Sequence, residues 1–287
     1  MKIGIAGSRI WGEQHYAKLR SFGFDCYDFQ MADTEAEPYT LGEKGFFAYL
    51  KEEKRRADAA GLEIWQVHGP WRYPPRDDTA ENRAERVEKM RRSIRGAAVL
   101  GARCWVVHPM MPYGVKDLPE GHEAAERACT LEMLAKLLPA AKREGVTICL
   151  ENMPFRRGYS LSSPAAIANL VREVNDPALA MCLDTGHANV RADWQSPAEA
   201  IRAYPKEIKA LHVHDNGGEH DEHLLPYCGT IDWADFSAAL REVKFGGCFS
   251  LECTPSKQLP IEILEVTFPF YFHIAQTIAG SAGPHTK

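Results

Sequence analysis

The 287-residue sequence predicts an α/β fold, a (β/α)8 barrel. Eight short apolar runs alternate with longer amphipathic ones, the pattern of parallel strands joined by crossover helices. The strand-like runs are continuously apolar rather than alternating, as expected of strands covered by helices. The chain length is that of a barrel built as one unit, and an eighth strand favours closure over an open sheet.

The first strand-like run is Ile3–Ala6, in a stretch that starts at Lys2. The others are Phe24–Phe29, Glu63–Val67, Cys104–His108, Thr147–Glu151, Leu179–Asp184, Ile208–His212 and Phe249–Glu252. After the third, Asp78–Leu100 carries Val87, Met90, Ile94 and Ala98 at helical spacing. After the fourth, His122–Arg143 does the same with Leu131, Leu134 and Leu138. Ser163-Pro164 and Ser196-Pro197 each read as an N-cap followed by proline at the first helical position. Thr230, Asp232 and Trp233 lead into a helix over Phe236–Val243. Gly61, Gly101, Gly145 and Gly246 or Gly247 stand where a helix hands over to a strand, the place of a C-cap glycine. Residues 1–279 read as one domain and 280–287 as a frayed tail.

Hydrophobic residues make up 45% and charged residues 25%, enough to bury a core and stay soluble. A net charge of -5 argues against a nucleic-acid partner, for which a basic footprint is expected. The one basic cluster, Arg83–Arg95, alternates with Glu and Ala and reads as an outer helix face far from the barrel mouth. Eight cysteines contain no CxxC pair, and Cys104, Cys149, Cys182 and Cys248 sit inside apolar runs. Reduced, buried thiols explain them better than disulfides. With an apolar run directly after the first methionine, and no stretch long enough to span a membrane, the expectation is a cytoplasmic protein.

The strongest signal is what stands at the strand ends. Ile64–Val67 ends at His68, Cys104–Val107 at His108, and Ile148–Leu150 at Glu151. Met181–Leu183 ends at Asp184, with His187 one turn on. Ala210-Leu211 leads to His212, with His214 two residues later, and Phe249–Leu251 ends at Glu252. A carboxylate at the end of an apolar strand is costly to bury unless it is paired or binds a metal. In a parallel barrel these ends converge on the face that carries active sites. A lone strand-end histidine is usually structural, but a run of such ends reads as one divalent-metal site. Mixed carboxylate and imidazole ligands suit Zn²⁺, Mn²⁺ or a similar ion, with Mg²⁺ and Co²⁺ also open. Asp221-Glu222-His223 adds two candidate ligands on a loop that Gly217-Gly218 could fold back over the mouth.

The segments HGPW (68–71), VVHPM (106–110), LENMP (150–154), LDTGHAN (183–189), LHVHDN (211–216), DEHLLPYCGTIDW (221–233) and SLECTP (250–255) together resemble the xylose isomerase-like TIM barrel superfamily. That group includes sugar isomerases and epimerases, dehydratases and endonuclease IV, and the likeness runs from about residue 1 to 275. The resemblance implies a shared metal site on Glu151, Asp184, His212 and Glu252. It implies that His187 contacts substrate or a further metal. His68, His108, Asp221 and His223 match the additional ligands of the trinuclear zinc site of endonuclease IV. The H-x-x-D spacing from His212 to Asp215 favours His212 as ligand, while His214 shares its inward parity.

The expected function is a divalent-metal-dependent sugar or sugar phosphate isomerase or epimerase, with Glu151 and Glu252 moving the proton through a metal-stabilised enediolate. Trp71, with Trp11 and Phe155, could stack on a sugar face, and Arg156-Arg157 could meet a phosphate or carboxylate. The alternatives are a metal-dependent dehydratase and a zinc-dependent AP endonuclease. The small-molecule readings imply no nucleic acid and no membrane partner. The aromatic helix near Phe268–Phe272 is open as a homo-oligomer interface or as packing on the barrel. Gly7-Ser8-Arg9 and the loop 73–76 are expected to help set specificity.

Overall fold

A computed structural model describes residues 1–7, 9–71, 77–112, 120–154, 160–190, 195–253, 255 and 258–280. Eight parallel strands form one sheet: β1 (Lys2–Ala6), β2 (Cys26–Gln30), β3 (Glu63–His68), β4 (Cys104–Val107), β5 (Thr147–Glu151), β6 (Leu179–Asp184), β7 (Ile208–His212) and β8 (Cys248–Leu251). Their order around the sheet is β7-β6-β5-β4-β3-β2-β1-β8. The ring closes between its two ends, where Val213 N donates to Ser250 O at 2.8 Å and Glu252 N donates to Val213 O at 2.9 Å. This is a (β/α)8 barrel, as the alternation of runs predicted.

Each strand is followed by helix: α1 (His15–Ser21), α2 (Gly42–Ala60), α3 (Ala80–Leu100), α4 (His122–Glu144), α5 (Pro164–Val174), the pair α6 (Thr185–Asn189) and α7 (Pro197–Ala203), α8 (Trp233–Glu242) and α9 (Ile261–Ile278). The predicted caps form. Ser163 accepts from Ala166 N at 3.1 Å and Ser196 builds a full capping box with Glu199, and Asp232 adds a cap that the sequence reading did not assign, accepting from Asp235 N at 2.9 Å. Gly61, Gly101 and Gly145 end their helices in the left-handed region. The fourth expected glycine cap is corrected. Helix α8 ends at Glu242 with Val243 as its cap, and Lys244 takes the left-handed φ of 53°. Gly247 serves another purpose, since a Cβ there would lie 2.5 Å from the Phe245 ring that folds over it.

Two cores follow from the closed sheet. Branched and aromatic side chains from outward strand positions pack against the helices, with Trp105, Phe46, Phe249 and Phe268 fully buried. The barrel interior is narrow, so small side chains fill it: Cys104, Val106, Cys149, Ala180, Cys182 and Ala210 on one side, Cys26 and Cys248 beside Trp65 on the other. Gly4 completes that layer, where a Cβ would come 2.7 Å from Cys248 Sγ. The cysteines that the sequence places in strands are therefore small apolar filling, and all eight are free thiols.

The basic cluster is only partly an outer face. Because α3 follows β3, its first turns lie at the C-terminal ends of the strands. There Arg86 is buried and ion-paired with the buried Asp77, and Arg83 donates to Asp77 O at 2.8 Å. Arg91 and Arg95 do lie outside, against Glu88 and Glu43. On α9, Phe268 is buried and Phe272 meets the Phe24 ring at 5.5 Å, while Val266 and Phe270 stay exposed. No helix among the described residues is long and apolar enough to cross a membrane. The expected tail lies outside the described residues from 281 onward.

Candidate metal centre

Parallel strands end on one face, and residues of the same parity point into it, so four strands deliver one cluster. Glu151 ends β5, Asp184 ends β6, His212 ends β7, and Glu252 follows β8. One donor atom from each lies within 4.8 Å of all the others. His212 is the pivot. Its Nδ1 stands 3.1 Å from Glu151 Oε1 and 3.1 Å from Glu252 Oε2, and its Nε2 stands 3.1 Å from Asp28 Oδ2. With Nε2 donating to Asp28, Nδ1 faces two carboxylate oxygens, so it carries a proton or shares a cation with them. Burial opposes charge on His212, yet Cys182, Glu252 and Glu151 outweigh it and hold its pKa well above the ordinary imidazole value.

Glu151 is the second pivot. It is essentially fully buried, and its Oε2 has no hydrogen-bond partner among the described residues. His108 Nε2 at 3.4 Å and His68 Nε2 at 3.6 Å approach that oxygen beyond hydrogen-bond range. Burial pushes the Glu151 carboxyl up, and His212 and His108 overcome this and bring it well below the usual carboxylate range. An ionised, buried carboxylate with an orphaned oxygen ringed by imidazole nitrogens is what a divalent cation would satisfy. The donor set therefore fits a metal. His68, Glu151 and His212 form a second such group.

A third group faces the other side of Asp184: His187, His214, Asp221 and His223. His187 Nε2 lies 3.3 Å from Asp221 Oδ2, His223 Nε2 3.4 Å from Asp221 Oδ1, and His214 Nε2 3.0 Å from Asp184 Oδ1. His214 and His223 stack at 4.0 Å between ring centroids. Burial lowers the His187 pKa, but Asp184 and Asp221 raise it to about 10. The same contest at His223, with Asp221 and Glu252, ends at about 9. His212 and His214 thus do not compete for one role, since each faces a different group.

The local sequence explains how the cluster is held. Asn152 clamps the end of β6: its Oδ1 accepts from Asp184 N at 2.9 Å and its Nδ2 donates to Asp184 O at 3.1 Å. Its own carbonyl meets His187 Nδ1 at 2.8 Å, which aims Nε2 at Asp221. Asp184 Oδ1 accepts from His187 N at 2.7 Å and so caps α6. Asp215 folds the long loop after β7. It accepts from Gly229 N at 3.0 Å and from Trp233 Nε1 at 2.8 Å, and pairs its backbone with Leu224. That fold brings His223, at a left-handed φ of 50°, over the mouth, where its Nδ1 meets Glu252 O at 2.8 Å.

All ten histidine and carboxylate candidates thus converge on one face. Trp71 stands at the rim, partly exposed, with its ring 5.4 Å from His108. Trp11 packs on Phe22 and Phe268 at 5.5 and 4.8 Å. Phe155, Arg156, Arg157, Ser8 and the loop 73–76 lie outside the described residues. Sequence reading missed Asp28, which lies inside a strand run, and Asn152. Asp28 carried a findable signal: an acid in the middle of an apolar strand of a barrel must have a buried partner.

A sequence model of the xylose isomerase-like TIM barrel matches residues 16–267. An uncharacterized protein of Methanocaldococcus jannaschii is 28% identical over 93% of this chain and 90% of its own length. The D-psicose 3-epimerase of Enterocloster bolteae is 24% identical over 88% of this chain and 82% of its own. The crystal structure of a D-tagatose 3-epimerase-like protein superposes with a TM-score of 0.73 at 26% identity, covering 96% of this chain and 99% of that one.

Proposed function

Because the chain belongs to the xylose isomerase-like TIM barrel family, we infer that it is a divalent-metal-dependent epimerase or isomerase of a ketose or a similar small sugar. The observation that carries this reading is the placement of Glu151 and Glu252. They come from different strands, yet each lies 3.1 Å from the same His212 nitrogen. Two carboxylates disposed about one point suit removal of a proton from a carbon by one and its return by the other. Return on the opposite face gives an epimer, and return at the neighbouring carbon gives an isomer.

A divalent cation held by Glu151, Asp184, His212 and Glu252 would polarise the substrate carbonyl and acidify the adjacent C–H. In this reading His187, His68 and His108 orient substrate oxygens around the carboxylates, and Trp71 offers an aromatic rim. Zn²⁺ and Mn²⁺ suit the donor set best. The relatives named as sugar 3-epimerases support the same reaction class. Residues 1–279 act as one domain in this reading, and the free thiols suit a reducing compartment.

A specific observation favours a second reading, phosphodiester hydrolysis. The His187–His214–Asp221–His223 group and the His68–Glu151–His212 group adjoin the four-residue centre, enough donors for more than one ion. The two readings are separated by experiment. Metal-loaded protein in D₂O with a panel of ketoses should place deuterium beside the carbonyl, read by NMR, at about one metal per chain. No exchange with any ketose, together with cleavage of an abasic-site duplex, would replace the sugar reading with the second one.

A further inference from the structure

The opposite end of the barrel carries a basin of about 750 Å³, within the size range of small-molecule sites. Cys104, Thr147, Leu179 and Ile208, the first residues of four consecutive strands, line it. It therefore lies on the N-terminal face, away from the carboxylate and histidine cluster. Its charge is distinctive. Five cations line it, Arg103, Arg172, Lys206, Lys209 and Lys244, against two acids, Asp176 and Glu207, in a chain whose net charge is -5. Both acids are already neutralised, Asp176 by Lys142 at 2.7 Å and Glu207 by Arg172 at 2.8 Å. Lys206, Lys209 and Lys244 are exposed and have no ion-pair partner among the described residues.

Surface lysines are ordinarily solvated, but the backbone holds two of these in unusual settings. Lys209 is the extra residue where the β6–β7 register shifts, Met181 pairing with Ile208 and Cys182 with Ala210, and a bulge re-aims its side chain. Lys244 occupies the left-handed region at φ 53°, a strained conformation for a residue with a Cβ. The remaining wall is apolar, including Pro177, Pro205, Val243 and Phe245. At its inner edge the buried Trp65 has an indole Nε1–H with no hydrogen-bond partner among the described residues.

The geometry points to a second ligand site here, for a phosphorylated small molecule with an apolar body, of the nucleoside phosphate class. The three lysines meet the phosphates and the apolar wall takes the body. ADP titrated calorimetrically into the metal-loaded protein is the probe. The expected result is one saturable site, weakened by added salt and weakened at least about tenfold in a K206A/K209A/K244A variant. That variant should keep its metal content, because none of the three residues lies near the metal cluster. Binding should also be unchanged in Glu151→Gln, which separates it from phosphate held at a metal. Absence of saturable binding at millimolar ADP overturns the proposal, as does binding that survives the triple substitution or disappears in Glu151→Gln. If the triple variant does not fold by circular dichroism, the single charge reversal Lys244→Glu must still weaken binding, and failure to do so overturns it.

Discussion

His212 Nε2 stands 3.1 Å from Asp28 Oδ2, on the far side of the ring from Glu151 and Glu252. Asp28 is itself fixed by Gln66 Nε2 at 2.7 Å and Ser250 Oγ at 3.3 Å. This chain of bonds fixes the ring orientation and leaves Nδ1 for the centre. Asp28→Asn removes the anionic acceptor, and metal affinity is expected to fall about 10- to 100-fold in a chelator competition assay. Undiminished affinity would mean that Asp28 does not support the ligand.

Glu151→Gln and Glu252→Gln should each reduce deuterium exchange on the substrate by about 10²- to 10⁴-fold. Full activity in both variants would sink the assignment of the proton-transfer pair. Glu151→Gln should also cost metal, because Glu151 belongs to two of the three donor groups.

Metal removal should make stability depend on pH in a defined window. In the metal-free chain the His187 pKa is raised to about 10 and that of His223 to about 9, against an ordinary 6.5. A raised folded-state value stabilises fully below the unfolded value, and that contribution is lost as pH rises through the folded one. Asp221 is shifted downward, so its contribution is lost only as pH falls below the usual carboxylate range. The metal-free protein should therefore melt at progressively lower temperature from about pH 6.5 to pH 10, a trend that His187→Asn makes shallower. His187 outweighs His223, since His223 is 42% exposed and screened by solvent, and the buried His212, also raised, adds to the same trend. A flat profile in the wild-type metal-free protein would contradict these shifts.

Gly186 is required by a neighbour. A Cβ at that position would lie 2.0 Å from His214 Cε1. Gly186→Ala should displace His214 from Asp184 and cost about 1–3 kcal/mol of stability in chemical denaturation. Removing the obstructed ring in Gly186→Ala/His214→Ala should recover part of that loss, a coupling that independent sites would not show.

His15 is buried against Trp11, Tyr16 and Tyr27, with no partner for either ring nitrogen among the described residues. Burial, with Arg9 nearby, depresses its pKa to about 3. A depressed value preserves stability above the unfolded pKa and loses it as pH falls toward the folded one, by about 1.4 kcal/mol per unit between them. His15→Phe should leave the melting temperature near neutrality little changed and raise it relative to wild type at pH 4–5. An equal fall in both proteins on acidification would show that His15 is not the group responsible.

What the sequence determined by itself is the barrel and the roster of its mouth. Continuous apolar runs specify covered parallel strands, and a titratable residue at the end of six of the eight runs is a pattern that burial makes expensive without a partner. Capping at Ser163 and Ser196 was legible because a cap bonds within its own first turn. The tertiary structure alone decided how the roster is divided. His212 and His214 have the same parity and are two residues apart, yet one turns to Glu151 and the other to Asp184. Which groups Asp28 and Asn152 hold became visible only when β2 and the residue after β5 were placed beside their partners, and the lysine basin exists only because four strand starts meet. Strand periodicity is a local property of the chain. A shared ligand centre, a buried second partner and a cavity depend on distances between residues up to 222 positions apart, which sheet closure sets and no local pattern encodes.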